Sequence, residues 1–140
     1  MGVSNYDISS TVGTSVSQRL VRKVCKKCAR KREFNDKEKE VIKRIGEKYN
    51  VEFDLTDKYT YDAVGCKECN NSGYYDRIGI FEVLSLDDNI KELIVNGASS
   101  IEIRKEALKG NFKPLVVDGI KKVIDGITTL DELDRKIILY

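Results

Sequence analysis

No histidine occurs in the 140 residues. That absence excludes a Ser-His-Asp triad, a Cys-His nucleophile pair and an H-E-x-x-H metalloprotease helix. No G-x-x-x-x-G-K-[ST] segment occurs, so the chain has no P-loop of its own. No apolar run approaches the roughly 18 residues that a membrane span needs, and direct membrane insertion is not expected. The first residues, Met1-Gly2-Val3-Ser4-Asn5-Tyr6, show no charged segment followed by an apolar one, so no signal peptide is expected. Tyr6 stands where a myristoylation pattern needs Ser or Thr. With a net charge of +2 the whole chain is not a strong binder of polyanions. Nothing that remains reads as a self-contained active site.

What the chain does contain is four cysteines in two matched pairs, Cys25-Lys-Lys-Cys28 and Cys66-Lys-Glu-Cys69. Two residues between thiols let both sulfurs of a turn converge on one ion. Two such turns together make a tetrahedral four-sulfur site, the geometry zinc favours. Apart from the weak thioether of Met1, these are the only soft ligands in the sequence. A filled four-cysteine site leaves no open position for a substrate, so the expected role is structural. Three readings compete: a disulfide framework, which needs an oxidising compartment; a thioredoxin-like C-x-x-C, which leaves the second pair unexplained; and iron in a rubredoxin-like site with the same ligands. Reduced pairs without an export signal point to the cytoplasm.

Along the chain, residues 1–17 read as a frayed start or the tail of a larger domain. Gln18 to Val24 suits a strand leading into the first cysteine turn. From Arg19 to Arg32, eight of fourteen residues are Lys or Arg, a local basic stretch. It can track phosphates, form a solvated or charge-balancing face, or dock an acidic protein. Lys26 and Lys27 offset the roughly −2 formal charge of zinc held by four thiolates. Asn35 or Asp36 caps a helix to about Tyr49 with Val41, Ile42 and Ile45 on one face. Tyr59 to Val64 reads as a short strand. Tyr74 to Leu84 reads as strand material with a tight turn near Asp76–Gly79, and Arg77 is expected to pair with Asp76 or Glu82. Four short helices complete the chain. They start at Asp87 or Asp88, at Ser99, at Pro114 and at Thr128 or Thr129, with Ile90, Leu93, Ile94, Ile103, Ala107, Leu108, Val116, Ile120, Val123 and Ile124 inward. The expected fold class is α+β: a tetracysteine subdomain with short strands and one helix, then a compact helical subdomain.

Several segments together resemble a known family. Gln18-Arg19-Leu20-Val21-Arg22-Lys23-Val24-Cys25 resembles the end of the ATPase core in secretion ATPases of the type II secretion and type IV pilus assembly class. Gly65-Cys66-Lys67-Glu68-Cys69, then Ser72-Gly73-Tyr74 and Arg77-Ile78-Gly79-Ile80-Phe81-Glu82, resemble that family's second cysteine pair and the segment after it. Asp118-Gly119-Ile120-Lys121-Lys122-Val123 and Gly126-Ile127-Thr128-Thr129-Leu130-Asp131-Glu132 resemble its closing helices.

The resemblance implies a C-terminal piece of a hexameric cytoplasmic motor at the inner membrane, whose ATP and Mg sites lie in an absent core. It implies that residues 1–24 end that core, 25–84 form the zinc-binding subdomain and 85–140 the helical subdomain. Cys25, Cys28, Cys66 and Cys69 match the family's tetracysteine zinc site, and no catalytic residue carries over. The implied partners are the rest of the ATPase, neighbouring subunits and an inner-membrane platform protein. No nucleic acid is expected, and the isolated piece is expected to be a monomer. A zinc-ribbon nucleic-acid binder and an iron electron carrier stand as alternatives from other classes.

Overall fold

Two cysteine turns, one long and one short strand pair and a run of capped helices make up the computed structural model, which describes residues 4, 5 and 12–137. Most of the reading given to residues 1–17 lies outside the described residues. The strands are β1 (Thr14–Val24), β2 (Arg30–Arg32), β3 (Thr60–Asp62) and β4 (Tyr74–Ser85). The helices are α1 (Asp36–Tyr49), α2 (Asp88–Val95), α3 (Ser100–Leu108), α4 (Leu115–Ile124) and α5 (Leu130–Lys136). β1 pairs with β4 and β2 with β3, so the fold is α+β as expected. Contacts divide the chain into two units, Gln18–Phe81 with Leu115–Tyr140, and Met1–Ser17 with Glu82–Pro114. The four helices expected after residue 85 are present, two in each unit.

In the larger unit, Val21, Phe34, Val41, Ile42, Ile45, Ile80 and the inward residues of α4 and α5 form one core. α1 begins where the Asn35 side chain accepts from the Glu38 N–H at 2.8 Å while Glu38 accepts from the Asn35 N–H at 2.9 Å. This reciprocal cap satisfies two donors that a helix start otherwise leaves orphaned. Val41, Ile42 and Ile45 recur at helical spacing, so one face is buried, and it packs on α4. α4 buries Val116, Val117, Ile120, Val123 and Ile124. α5 starts at Thr129, whose hydroxyl accepts from the Glu132 N–H at 3.1 Å.

Two local features differ from the sequence reading. β4 runs unbroken from Tyr74 to Ser85, with no tight turn at Asp76–Gly79. Asp76 adopts a left-handed φ of 70°, and its carboxylate accepts from the Arg77 N–H at 2.8 Å. The strand is distorted there without reversing, as at a bulge. Gly79 marks a close approach, since a Cβ there would stand 2.8 Å from Gln18 Nε2. The second feature is β2, which the sequence showed only as part of the basic stretch. It pairs antiparallel with β3 in the register Arg30↔Asp62, Lys31↔Tyr61, Arg32↔Thr60. Cross-strand ion pairs take the place of apolar alternation, with Arg30 and Arg32 both on Asp62, at 2.9 and 2.7 Å.

The smaller unit has a modest core of Leu86, Ile90 and Ala107, flanked by Leu84, Ile94, Ile103 and Phe112. Asp87 caps α2 by accepting from the Ile90 N–H at 2.9 Å. Ser99 and Glu102 form a second reciprocal cap on α3. Between them the Gly97 and Ala98 N–H groups donate to Ile94 O and Leu93 O, closing α2 with a Schellman turn. Among the described residues no helix is long and apolar enough to cross a membrane.

Candidate metal centre

The end of β1 delivers Cys25, and the turn toward β2 delivers Cys28. Cys66 and Cys69 sit on the turn between β3 and β4. The two turns are tied by the Cys25 N–H, which donates to Gly73 O at 2.9 Å. Gly73 has a φ of +81°, and a Cβ there would stand 2.6 Å from that of Ala63, so a side chain has neither the conformation nor the space. Asn70 and Asn71 take left-handed φ values of 53° and 62°, a conformation that asparagine tolerates. The Asn71 N–H closes the turn onto Cys66 O at 2.8 Å.

All four Sγ atoms lie within 4.8 Å of one another. Cys25 to Cys66 and Cys28 to Cys69 are 3.8 Å apart, and Cys66 to Cys69 is 3.7 Å. Four sulfurs placed tetrahedrally at about 2.3 Å from one zinc are separated by about 3.8 Å, so the donor set fits that ion. The four thiols are all free. Their convergence on one centre also differs from a thioredoxin-like arrangement, in which a single C-x-x-C acts alone.

Backbone donors surround part of the cluster. Gly65 N–H points at Cys28 Sγ at 3.3 Å. Cys69 Sγ accepts from the N–H groups of Cys66 at 3.2 Å and Gly73 at 3.3 Å. Burial pushes the Cys28 thiol up to about 11. At Cys69 burial acts in the same direction, but the two N–H donors together with the neighbouring thiols of Cys66 and Cys28 outweigh it and bring the thiol down to about 6. An incoming cation displaces protons from the thiols it takes as ligands.

Much of the basic stretch is occupied internally. Arg22 holds Glu132, Arg32 holds both Asp62 and Glu38, Arg30 holds Asp62, and Lys31 stands 4.2 Å over the Tyr59 ring. Lys23, Lys26 and Lys27 line a cavity of about 390 Å³ beside Cys25, with Glu68, Tyr75 and Asp76. Arg77 makes neither expected ion pair. Asp76 instead caps the Arg77 backbone, and Glu82 faces Arg104 at 3.6 Å.

The sequence reading passed over Glu132 as a structural group. It lies on α5 with no exposed side-chain surface and takes three bonds from Arg22: N–H at 2.8 Å, Nε at 2.9 Å and Nη2 at 3.1 Å. The Arg22 guanidinium lies 4.2 Å from the Tyr74 ring centre, and the Tyr74 hydroxyl bonds the Thr129 hydroxyl at 2.8 Å. Thr128 donates to Arg22 O at 2.8 Å. The strand residue three before Cys25 and the residue directly after Gly73 are thus both anchored to the start of α5. No local pattern announces a pairing across 110 residues. By contrast, Gly65 and Gly73, which bracket the second cysteine pair, lie within the segments that carry the family resemblance.

The profile of the family described as "Type II/IV secretion system protein" matches residues 1–135. The chain is 35% identical over 133 residues to the type IV pilus assembly ATPase PilB of Myxococcus xanthus, covering 95% of this chain and 23% of that protein. It is 38% identical to the protein of the same name from Thermus thermophilus, covering 95% and 14%. To the type II secretion system ATPase E of Vibrio cholerae it is 36% identical, covering 96% and 25%. The chain belongs to the type II/IV secretion system protein family. It spans a quarter or less of the length of these relatives. That membership does not favour the nucleic-acid reading of the basic stretch.

Proposed function

We propose that this chain is a zinc-stapled, non-catalytic C-terminal module of a secretion or pilus-assembly ATPase. Nucleotide chemistry belongs to the rest of the motor, and the module transmits its motion to assembly partners at the cytoplasmic face of the inner membrane. On this reading residues 1–24 end the ATPase core, 25–84 carry the staple and 85–140 are the helical part. The contact-defined units group these segments differently, because α4 packs on α1 and α5 packs on α4. Within an assembled hexamer the neighbouring subunits and a platform protein are the partners, and the isolated chain is a monomer.

The observation that carries this reading is the convergence of Cys25, Cys28, Cys66 and Cys69. Four thiolates fill a tetrahedral ion completely, which suits a structural role and leaves no position for substrate. Zinc bound there joins the end of β1 to the start of β4 and adds its binding free energy to folding. The Arg22–Glu132 pair continues the connection to α5. A displacement delivered along β1 then moves the cysteine turns and α5 together.

Elemental analysis of protein purified without added metal or chelator tests the reading. About one zinc per chain is the expected result for four thiolate ligands. Iron in the site, or a folded chain with four titratable thiols and no metal, defeats it.

A further inference from the structure

The four sulfurs are not equivalent. Among the described residues, Cys25 is buried and receives no backbone N–H, while Cys28 is half-buried and receives one, from Gly65. Cys69 is buried and receives two, from Cys66 and Gly73. Cys66 alone combines partial exposure with the absence, among the described residues, of any N–H donor to its sulfur. A hydrogen bond to a thiolate draws off its negative charge, and nucleophilicity falls with that charge. Burial removes the approach path altogether.

From this asymmetry we infer that Cys66 is the modification site of the cluster, the ligand at which soft electrophiles attack and through which the metal leaves. The inference rests on the zinc reading above. Attack at Cys66 removes one of four ligands, while Cys69 stays fixed by its two donors and Cys25 stays enclosed. The remaining three thiolates are a weaker set, and the metal becomes open to a competing chelator. With N-ethylmaleimide as electrophile, the Cys66 sulfur forms a bond to the alkene carbon. The alkene π pair takes a proton from water at the neighbouring carbon, and the Zn–S bond breaks as the thiolate becomes a neutral thioether.

The test uses the whole 140-residue chain with its zinc content measured beforehand. It is treated with less than one equivalent of N-ethylmaleimide in the presence of a chromogenic zinc chelator. Peptide mapping by mass spectrometry then locates the label. Hydrogen bonds to metal ligands commonly matter by roughly 10–100-fold, so Cys66 should carry at least about ten times the label of any other cysteine. Zinc release should track that label. Preferential labelling of Cys28, Cys25 or Cys69, even labelling of all four, or none in the zinc-loaded protein overturns the inference while leaving the zinc reading intact. A sample that contains no zinc before treatment overturns both.

Discussion

Glu132 is a charged side chain with no exposed surface, kept ionised chiefly by Arg22, with Arg135 a second cation at 3.7 Å. Burial raises its pKa, but the Arg22 side-chain and backbone donors pull harder, and the net result lies below its ordinary 4.5. A carboxylate whose folded pKa is lowered stabilises the fold above its unfolded pKa, and that contribution is lost as pH falls through the folded value. Glu132→Gln keeps the shape and removes the charge. Because a hydrogen bond to a charged group is worth about 1.5–3 kcal/mol, the variant should be less stable by about 2 kcal/mol at neutral pH. Urea unfolding of both proteins should show that gap shrinking below the ordinary glutamate range, where the wild type also loses the charge. A gap that stays constant with pH would mean that Glu132 is not ionised in the fold.

At the scale of elements, α1 depends on Asn35 and Glu38 in unequal measure. Asn35 supplies only its cap. Glu38 closes the reciprocal cap and also accepts from both terminal guanidinium nitrogens of Arg32, at 2.8 and 2.7 Å, which links α1 to the β2–β3 pair. Its pKa is held low, first by Arg32. Asn35→Ala should therefore cost about 1 kcal/mol, as a lost N-cap does, and Glu38→Ala should cost more, since it also removes one of the two carboxylates that Arg32 holds, leaving Asp62. Thermal unfolding of the two variants decides this, and equal losses would show that the Arg32 contact contributes nothing. The caps were readable because each is a local pattern, a short polar side chain placed just before an apolar stripe of period 3.6. The four cysteines were readable for a similar reason, since C-x-x-C is a local turn. β2 was not readable, because Arg30-Lys31-Arg32 has no alternation and its pairing energy comes from Asp62 on another segment. The expected turn at Asp76–Gly79 failed because aspartate and glycine serve a bulge or a close approach as readily as a reversal. The Arg22–Glu132 pair was hidden by sequence separation alone.

For the molecule as a whole, the question is how much of the order depends on the metal. The larger unit has an apolar core that includes Val21, Phe34, Ile42, Ile80, Ile120 and Leu133, none of which touches the cysteines through a polar bond. The β2–β3 pair has little of its own to bury: Thr60 is enclosed, while Arg30 and Lys31 face solvent. An isolated two-stranded pair is marginal in water. Stripping the metal should therefore act locally, with the stability of the core largely its own. Hydrogen exchange before and after exposure to a strong chelator under reducing conditions reads this directly. Protection should fall in the cysteine turns, β2 and β3, and persist in α1, α4 and α5, because regions with few buried contacts open first. Loss of protection throughout the larger unit would show instead that the zinc is a condition of folding the core. No change anywhere would remove the metal from the account of stability, leaving the turns held by hydrogen bonds such as Cys25–Gly73 and by the Arg22–Glu132 anchor.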